Sequence, residues 1–524
     1  MKRFALPSVL MAPSLTLLLC LLYLPLYAQT GSTITPEKLQ AALTDLDRRA
    51  ARILQETGVP GMSLAVVYKD KVIYLKGFGI RETGKADPVT PDTVFQLASL
   101  SKPITTTVIA GLVGERVVSW DDPIVAHLPD FQLYDPVLTR QVTIRDLLSH
   151  HSGLPDHTGD LLEDQGYSQE EVLHRLRFVP TGSGFRAHYA YTNFGFTTGA
   201  LAAARAAGKP WEELSVDKLY RPLGMTSTSS RYADFVAATD RAAGHVRENG
   251  KWIAKYQRAT DAQSPAGGVS SSVHDMAQWI RLMLGGGRID GKQIIGAEAL
   301  AETRRPQVIL PAGKGPPSAQ PSYYGLGWNV SYDNRGRLHM GHSGAFSLGA
   351  ATAVFLIPSE HIGIVALTNG SPIGVPESVC LSFLDMALDG KVQRDWTALL
   401  KQFFDASNAP EYGTAVDYAR APASSSSALP LASYVGTYHS DFFGDIEIAV
   451  QNDGLVLRQG PKKTPFPMKH WDRDVFLYQP VGEQAAGLSG VTFTIGPDQR
   501  AQQIVIENLN LQGLGIFTRA PVQK

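Results

Sequence analysis

Two strand-like runs late in the chain, Ala350-Ala-Thr-Ala-Val-Phe-Leu-Ile357 and Ile362-Gly-Ile-Val-Ala-Leu367, constrain the fold most. Backbone groups in such runs need partner strands, and a candidate pair stands near the other end of the chain. Met62-Ser-Leu-Ala-Val-Val-Tyr68 and Val72-Ile-Tyr-Leu75 flank Lys69-Asp70-Lys71, the pattern of a hairpin. We expect all four runs in one sheet, which joins the two ends of a domain. Ahead of the hairpin, Thr35-Pro36-Glu37 reads as a helix cap with proline at the first helical position. Leu39, Leu43, Leu46, Ala50 and Ile53 follow at helical spacing, and Gly58 with Pro60 ends the run. Further helical patterns cover 99–113 and Met276, Trp279, Ile280 and Met283 before Gly285-Gly-Gly287. A helix, then antiparallel strands, with more helices between, predicts a mixed α/β (α+β) fold rather than a doubly wound one.

The composition changes near residue 421. Ala421-Pro-Ala-Ser-Ser-Ser-Ser-Ala-Leu-Pro430 reads as a linker. Beyond it lie short β-type runs, Gly444-Asp-Ile-Glu-Ile-Ala-Val450, Leu455-Val-Leu457, Val491-Thr-Phe-Thr-Ile495 and Ile504-Val-Ile506, with turns at Asn452-Asp453-Gly454 and Pro497-Asp498. These predict a small C-terminal antiparallel β-barrel or sandwich. We therefore divide the chain into a leader at 1–28, a main domain at 29–395, a helix and linker at 396–430 and a β domain at 431–524.

The leader has Lys2 and Arg3 before an apolar stretch from Leu15 to Leu26, with Ala28 as a small residue at the cleavage point. It reads as a secretory signal peptide, placing the mature protein outside the cell or in the periplasm. The rival is an uncleaved anchor, which Pro7, Pro13 and Pro25 would interrupt. Cleavage leaves Cys380 alone, so no internal disulfide forms, and that cysteine is expected in the core. Lys and Arg number 48 against 49 acids, and there is no basic run, which argues against a nucleic-acid partner. His-Glu-x-x-His and paired Cys-x-x-Cys are missing too, so no metal or other cofactor is expected.

Chemistry concentrates in three short stretches. Ser99-Leu-Ser-Lys102 sets a hydroxyl and an amine one helical turn apart, so that the lysine can help remove the serine proton. Tyr191-Thr-Asn193 adds a phenol and an amide, and His342-Ser-Gly344 follows just ahead of the late strands. Ser-x-x-Lys, Tyr-x-Asn and a basic residue-x-Gly, in that order, resemble the serine β-lactamase and penicillin-binding protein superfamily. The branch most similar contains class C β-lactamases, D-aminopeptidases and related esterases. Thr143-Ile-Arg-Asp-Leu-Leu-Ser-His-His-Ser-Gly-Leu154, Pro222-Leu-Gly-Met-Thr226 and Ala266-Gly-Gly-Val-Ser270 resemble it as well, over about residues 37–390. Leu431, Tyr434, Gly436 and Tyr438 resemble the lipocalin-like barrels appended to some members.

The resemblance implies an α/β/α sandwich with a helical lobe and an acyl-enzyme mechanism. Ser99 is then the nucleophile, and Lys102 and Tyr191 share proton handling, with the base left open between them. Backbone N–H groups of Ser99 and Ala345 form the oxyanion hole. Asn193 holds a substrate amide or orients Lys102, and Ser343 and Gly344 line the substrate. His342 bonds Tyr191 or the substrate. His150 and His151, beside a Ser-Gly turn, read as structural.

Many relatives carry lysine where this chain has His342. An imidazole with an ordinary pKa of about 6.5 offers a free carboxylate less charge than an ammonium. The expected activity is therefore peptidase or amidase action on small peptides. β-Lactamase and carboxylesterase action are alternatives, and a penicillin or peptide sensor that acylates without turnover is another. The barrel could cover the active-site mouth. The substrate is a small peptide, amide or ester; any membrane contact is through an uncleaved leader, and the oligomeric state is left open.

Overall fold

The computed structural model describes residues 32–181, 184–311, 320–420, 422 and 424–521, so the leader read at 1–28 lies outside the described residues. Helix α1, Pro36–Thr57, starts where Thr35 accepts from the Lys38 N–H and stops at Gly58, whose left-handed φ of 71° lets its N–H reach the Leu54 carbonyl at 2.8 Å. Strands β1 (Gly61–Tyr68) and β2 (Lys71–Gly79) form the expected hairpin. Helices α2 (Ser101–Gly114), α3 (Asn193–Ala206) and α4 (Val273–Leu284) follow. The chain returns to strand through β3 (Val308–Ile309), β4 (Tyr323–Tyr324), β5 (Asn329–Tyr332), β6 (Leu338–Phe346), β7 (Ala350–Ile357) and β8 (Ile362–Thr368). Helices α5 (Val375–Asp389) and α6 (Trp396–Ser407) complete this part.

The sheet order is β2-β1-β8-β7-β6-β5-β4-β3, antiparallel throughout. The late runs do lie beside the early hairpin, with Leu64 opposite Ala366 and Val354 opposite Val365. Side chains alternate across a strand, and here both faces are covered. Leu64, Val66, Ile364 and Ala366 pack with Ala42, Leu46 and Ala50 of α1 and Val379 and Phe383 of α5. Ala65, Val67, Val365 and Leu367 join the core that holds α2 and α4. Cover on both sides explains why these strands read as apolar runs without polar alternation. Cys380 is fully buried among the α1 and α5 side chains.

The C-terminal strands are β9 (Gly436–Ser440), β10 (Gly444–Gln451), β11 (Gly454–Gln459), β12 (Thr464–Pro467), β13 (Lys469–Asp472), β14 (Val475–Tyr478), β15 (Ser489–Ile495), β16 (Ala501–Ile506) and β17 (Ile516–Arg519). Their order, β12-β11-β10-β9-β17-β16-β15-β14-β13, puts the chain neighbours β12 and β13 at its two ends, so the sheet curls into a nearly closed barrel. Tyr434, Tyr438, Phe476, Phe493 and Phe517 fill it.

This barrel is docked on the main domain. Tyr167 donates to the Phe443 carbonyl at 2.6 Å, and Asp164 accepts the Glu483 and Gln484 N–H groups, each at 2.9 Å. Arg258 lies 2.8 Å from Glu163 and 3.7 Å from both Asp164 and Glu483, which ties the parts together through one guanidinium. The apolar core runs on from the helical lobe into the barrel.

Candidate active site

Ser99 does not begin α2. It sits on the single 3₁₀ turn Ala98–Leu100 immediately before it. Ala98 has a left-handed φ of 49°, a conformation a non-glycine residue holds only when its surroundings fix it. The fixing contacts are visible. Thr352 of β7 donates to the Leu97 carbonyl at 2.7 Å, and the Ser101 hydroxyl donates to the Ala98 carbonyl at 2.6 Å and accepts from the Val269 N–H at 2.9 Å. Strand β6 passes so close that a Cβ on Gly344 would collide with the Leu97 carbonyl oxygen and come within 3.0 Å of the Leu100 nitrogen. The glycine of the third motif is thus a contact requirement between sheet and nucleophile turn.

Lys102 is fully buried one turn into α2. Its Nζ donates to Ser99 Oγ at 3.1 Å, Asn193 Oδ1 at 2.8 Å and the Ala266 carbonyl at 3.0 Å. Burial drives its pKa down to about 7, against the pull of the Asp160 carboxylate. The Tyr191 hydroxyl donates to the same Ser99 oxygen at 2.7 Å. Burial pushes this phenol far above its ordinary value, so it stays protonated. His150 packs with its ring centre 4.5 Å from that of Tyr191, and its Nδ1 accepts from the Thr192 N–H at 3.1 Å. Burial holds His150 neutral. It acts as a wall for the tyrosine, in keeping with a structural role; His151 bonds Ser149 at 2.6 Å, away from Ser99.

Asn193 opens α3 and faces the lysine. His342 is 5% exposed and bonds Tyr324 rather than Tyr191. Its Nδ1 lies 2.6 Å from the Ser343 carbonyl, which can only accept, so Nδ1 carries the proton and Nε2 accepts from the Tyr324 hydroxyl at 2.9 Å. Burial, reinforced by Lys102, lowers this imidazole to about 3. It is neutral at physiological pH and offers no charge to a carboxylate.

Strand β5 pairs with β6 only as far as Gly341, while β7 continues to Phe346. Residues 342–346 therefore present one strand edge toward the site, and His342, Ser343 and Ala345 line the same cavity as Ser99. This cavity has a volume of about 820 Å³. Its far wall comes from the C-terminal barrel, through Phe442, Glu483, Leu511 and Leu514. The one arginine among the described residues that line it, Arg258, is already engaged by Glu163, Asp164 and Glu483. Among the described residues, no cluster of His, Cys, Asp or Glu could hold a metal ion.

Three neighbours escaped the sequence reading. Tyr324, on the short strand β4, holds His342. Asp160 and His157 stand behind Asn193, with Asp160 Oδ2 at 2.9 Å from Asn193 Nδ2 and 2.8 Å from His157 Nδ1. The only sequence signal was Gly159, whose φ of 99° turns the chain there; a Cβ would press on Phe194 and Val172 at 2.8 and 2.9 Å.

Comparison with known proteins bears on this geometry. The Beta-lactamase family profile matches residues 46–380, and a domain of unknown function, DUF3471, matches residues 420–515. The unguisins hydrolase ungD of Aspergillus violaceofuscus is 26% identical over 437 residues, covering 78% of this chain and 76% of that protein. Protein flp of Staphylococcus aureus is 23% identical over 328 residues, covering 62% of this chain and 63% of its own. Among solved structures, the octameric penicillin-binding protein homologue from Pyrococcus abyssi superposes with a TM-score of 0.58 at 20% identity, over 89% of this chain and 98% of that one.

Proposed function

The chain belongs to the beta-lactamase family, and from that premise we propose that it is an exported serine hydrolase that cleaves amide bonds in small peptides through an acyl-enzyme on Ser99. One observation carries the reading: Lys102 Nζ and the Tyr191 hydroxyl converge on one serine oxygen, at 3.1 and 2.7 Å. Of the two, Lys102 is the better base, because burial brings its amine near neutrality while it keeps the phenol protonated. Ser99 Oγ attacks the carbonyl carbon and gives its proton to neutral Lys102. The oxyanion lies against the N–H groups of Ser99 and Ala345, each such donor being worth roughly 3 kcal/mol. Tyr191 protonates the leaving amine and is reprotonated from Lys102. Water then repeats the sequence on the acyl ester.

Substrate charge follows from the walls. Among the described residues that line the cavity, His342 is neutral, Arg258 is engaged by Glu163 and His157 is paired with Asp160, whereas Asp156 and Glu411 add negative charge. Peptides whose reacting end is amidated or amine-bearing fit better than those ending in a carboxylate beside the scissile bond. Relatives named as hydrolases support hydrolysis. The test is turnover by the mature protein of a mixture of L- and D-peptides, short acyl esters and a penicillin. Serine-dependent peptide cleavage upholds the reading. Preferential loss of ester or penicillin moves the activity to those branches, and a stable adduct without turnover makes the protein a sensor.

A further inference from the structure

Asp160 is a buried carboxylate, 3% exposed, that the mechanism above does not use. Both bonds of its Oδ2 point toward the reaction centre, to Asn193 Nδ2 and His157 Nδ1, while Oδ1 is buried without a partner among the described residues. A carboxylate only accepts, so Asn193 must turn its NH₂ to Asp160 and its carbonyl oxygen to Lys102. The chain spends a left-handed glycine and a left-handed His157, φ 54°, to place this acid there. Burying a carboxylate is costly even beside a partner such as His157, and a purely packing role does not call for one.

We propose that Asp160 is a positioning residue for the Ser99–Lys102 pair: its carboxylate orients the Asn193 amide toward the lysine and sets the pH at which that lysine releases its proton. The proposal rests on the hydrolase reading above. Around the Lys102 amine stand Tyr191, Asn193 and Phe196 from α3 and its approach, His342 from β6, His150 from the 149–154 loop, and the Asp160–His157 pair behind Asn193. His150 and His342 are neutral, so Asp160 and His157 are the charges that differ in sign there. Packing against the wall opposes charge on half-exposed His157, but its Asp160 partner raises it to about 9.

The test is the pH dependence of Ser99 labelling by a fluorophosphonate, read by peptide mass spectrometry. The serine oxygen bonds phosphorus, fluoride leaves, and the serine proton passes to Lys102. Asp160→Asn, close in size, removes negative charge near the ammonium, and the acid limb moves down by about one pH unit. His157→Gln removes positive charge and moves the limb up, a change of sign that a packing role does not produce. In an Asn193→Ala background, Asp160→Asn lowers the plateau rate no further than twofold, because the residue acts through Asn193. A labelled wild type whose limb stays put in Asp160→Asn overturns the role of Asp160 alone. If Ser99 labels in none of the proteins, the hydrolase reading falls and this proposal with it.

Discussion

The Tyr191 hydroxyl, 92 residues along the chain from Ser99, donates to Ser99 Oγ at 2.7 Å. A phenol fixed in that donor role cannot accept the serine proton. The lysine, lowered to about 7 by burial, can. This division of labour gives the first expectation. Lys102→Met keeps the packing and removes the amine, so acylation falls on the order of 10³-fold. Tyr191→Phe keeps the base and loses the donor, with a smaller fall on amides and least on esters, whose leaving groups need less protonation. Stopped-flow acylation on matched amide and ester substrates measures both; an equal loss on the two from Tyr191→Phe contradicts the assignment.

Acylation should rise with pH through about 7 as Lys102 loses its proton, because the charged amine has no lone pair to accept from Ser99. The phenol stays protonated well beyond that range, so the rate then holds a plateau. A kcat/KM profile on an uncharged substrate reads this directly. A rise centred near the ordinary lysine value of about 10.4 contradicts it.

Gly344→Ala introduces a methyl group against the Leu97 carbonyl. The serine turn must then shift away from β6. We expect a stability loss of about 1–3 kcal/mol in urea unfolding. Acylation should fall on the order of 10²-fold, as displaced reacting groups do.

Asp164→Ala leaves the Glu483 and Gln484 N–H groups without their acceptor and loosens the barrel wall of the cavity. The preference for short over long substrates, as a ratio of kcat/KM values, should fall on the order of tenfold. An unchanged ratio for a ten-residue peptide against a short ester would show that this wall does not select size.

Much of this was legible beforehand. Periodicity found α1, α4, the first hairpin and its pairing with the late strands, because buried faces leave a regular mark on sequence. Of the motif residues, Ser99, Tyr191, Asn193 and His342 line one cavity and Lys102 lies buried against Ser99, since their spacing along helix and strand carries information about it. Asp160, His157 and Tyr324 were not legible. They reach the centre through loop conformation and a two-residue strand, and neither has a periodic signature. His342 was read as bonding Tyr191 or the substrate; its protein partner is Tyr324 and not Tyr191, which depends on how β4 packs. Ser99 was read as the start of a helix, and the structure sets it one turn earlier, on backbone held by tertiary contacts. The stretch 421–430 was read as a linker by composition; within it the Ser426 N–H donates to Asp472 at 2.7 Å and the Leu429 N–H to the Tyr434 hydroxyl at 2.9 Å, contacts with the barrel that composition does not reveal.

The most direct measurement is intact-protein and tandem mass spectrometry of a rapidly quenched reaction with a cleavable peptide, alongside Ser99→Ala. The account predicts an acyl increment on Ser99 that forms and decays at the rate of turnover, with both increment and turnover lost in Ser99→Ala. Turnover that survives in Ser99→Ala, or an increment on another residue, would contradict it.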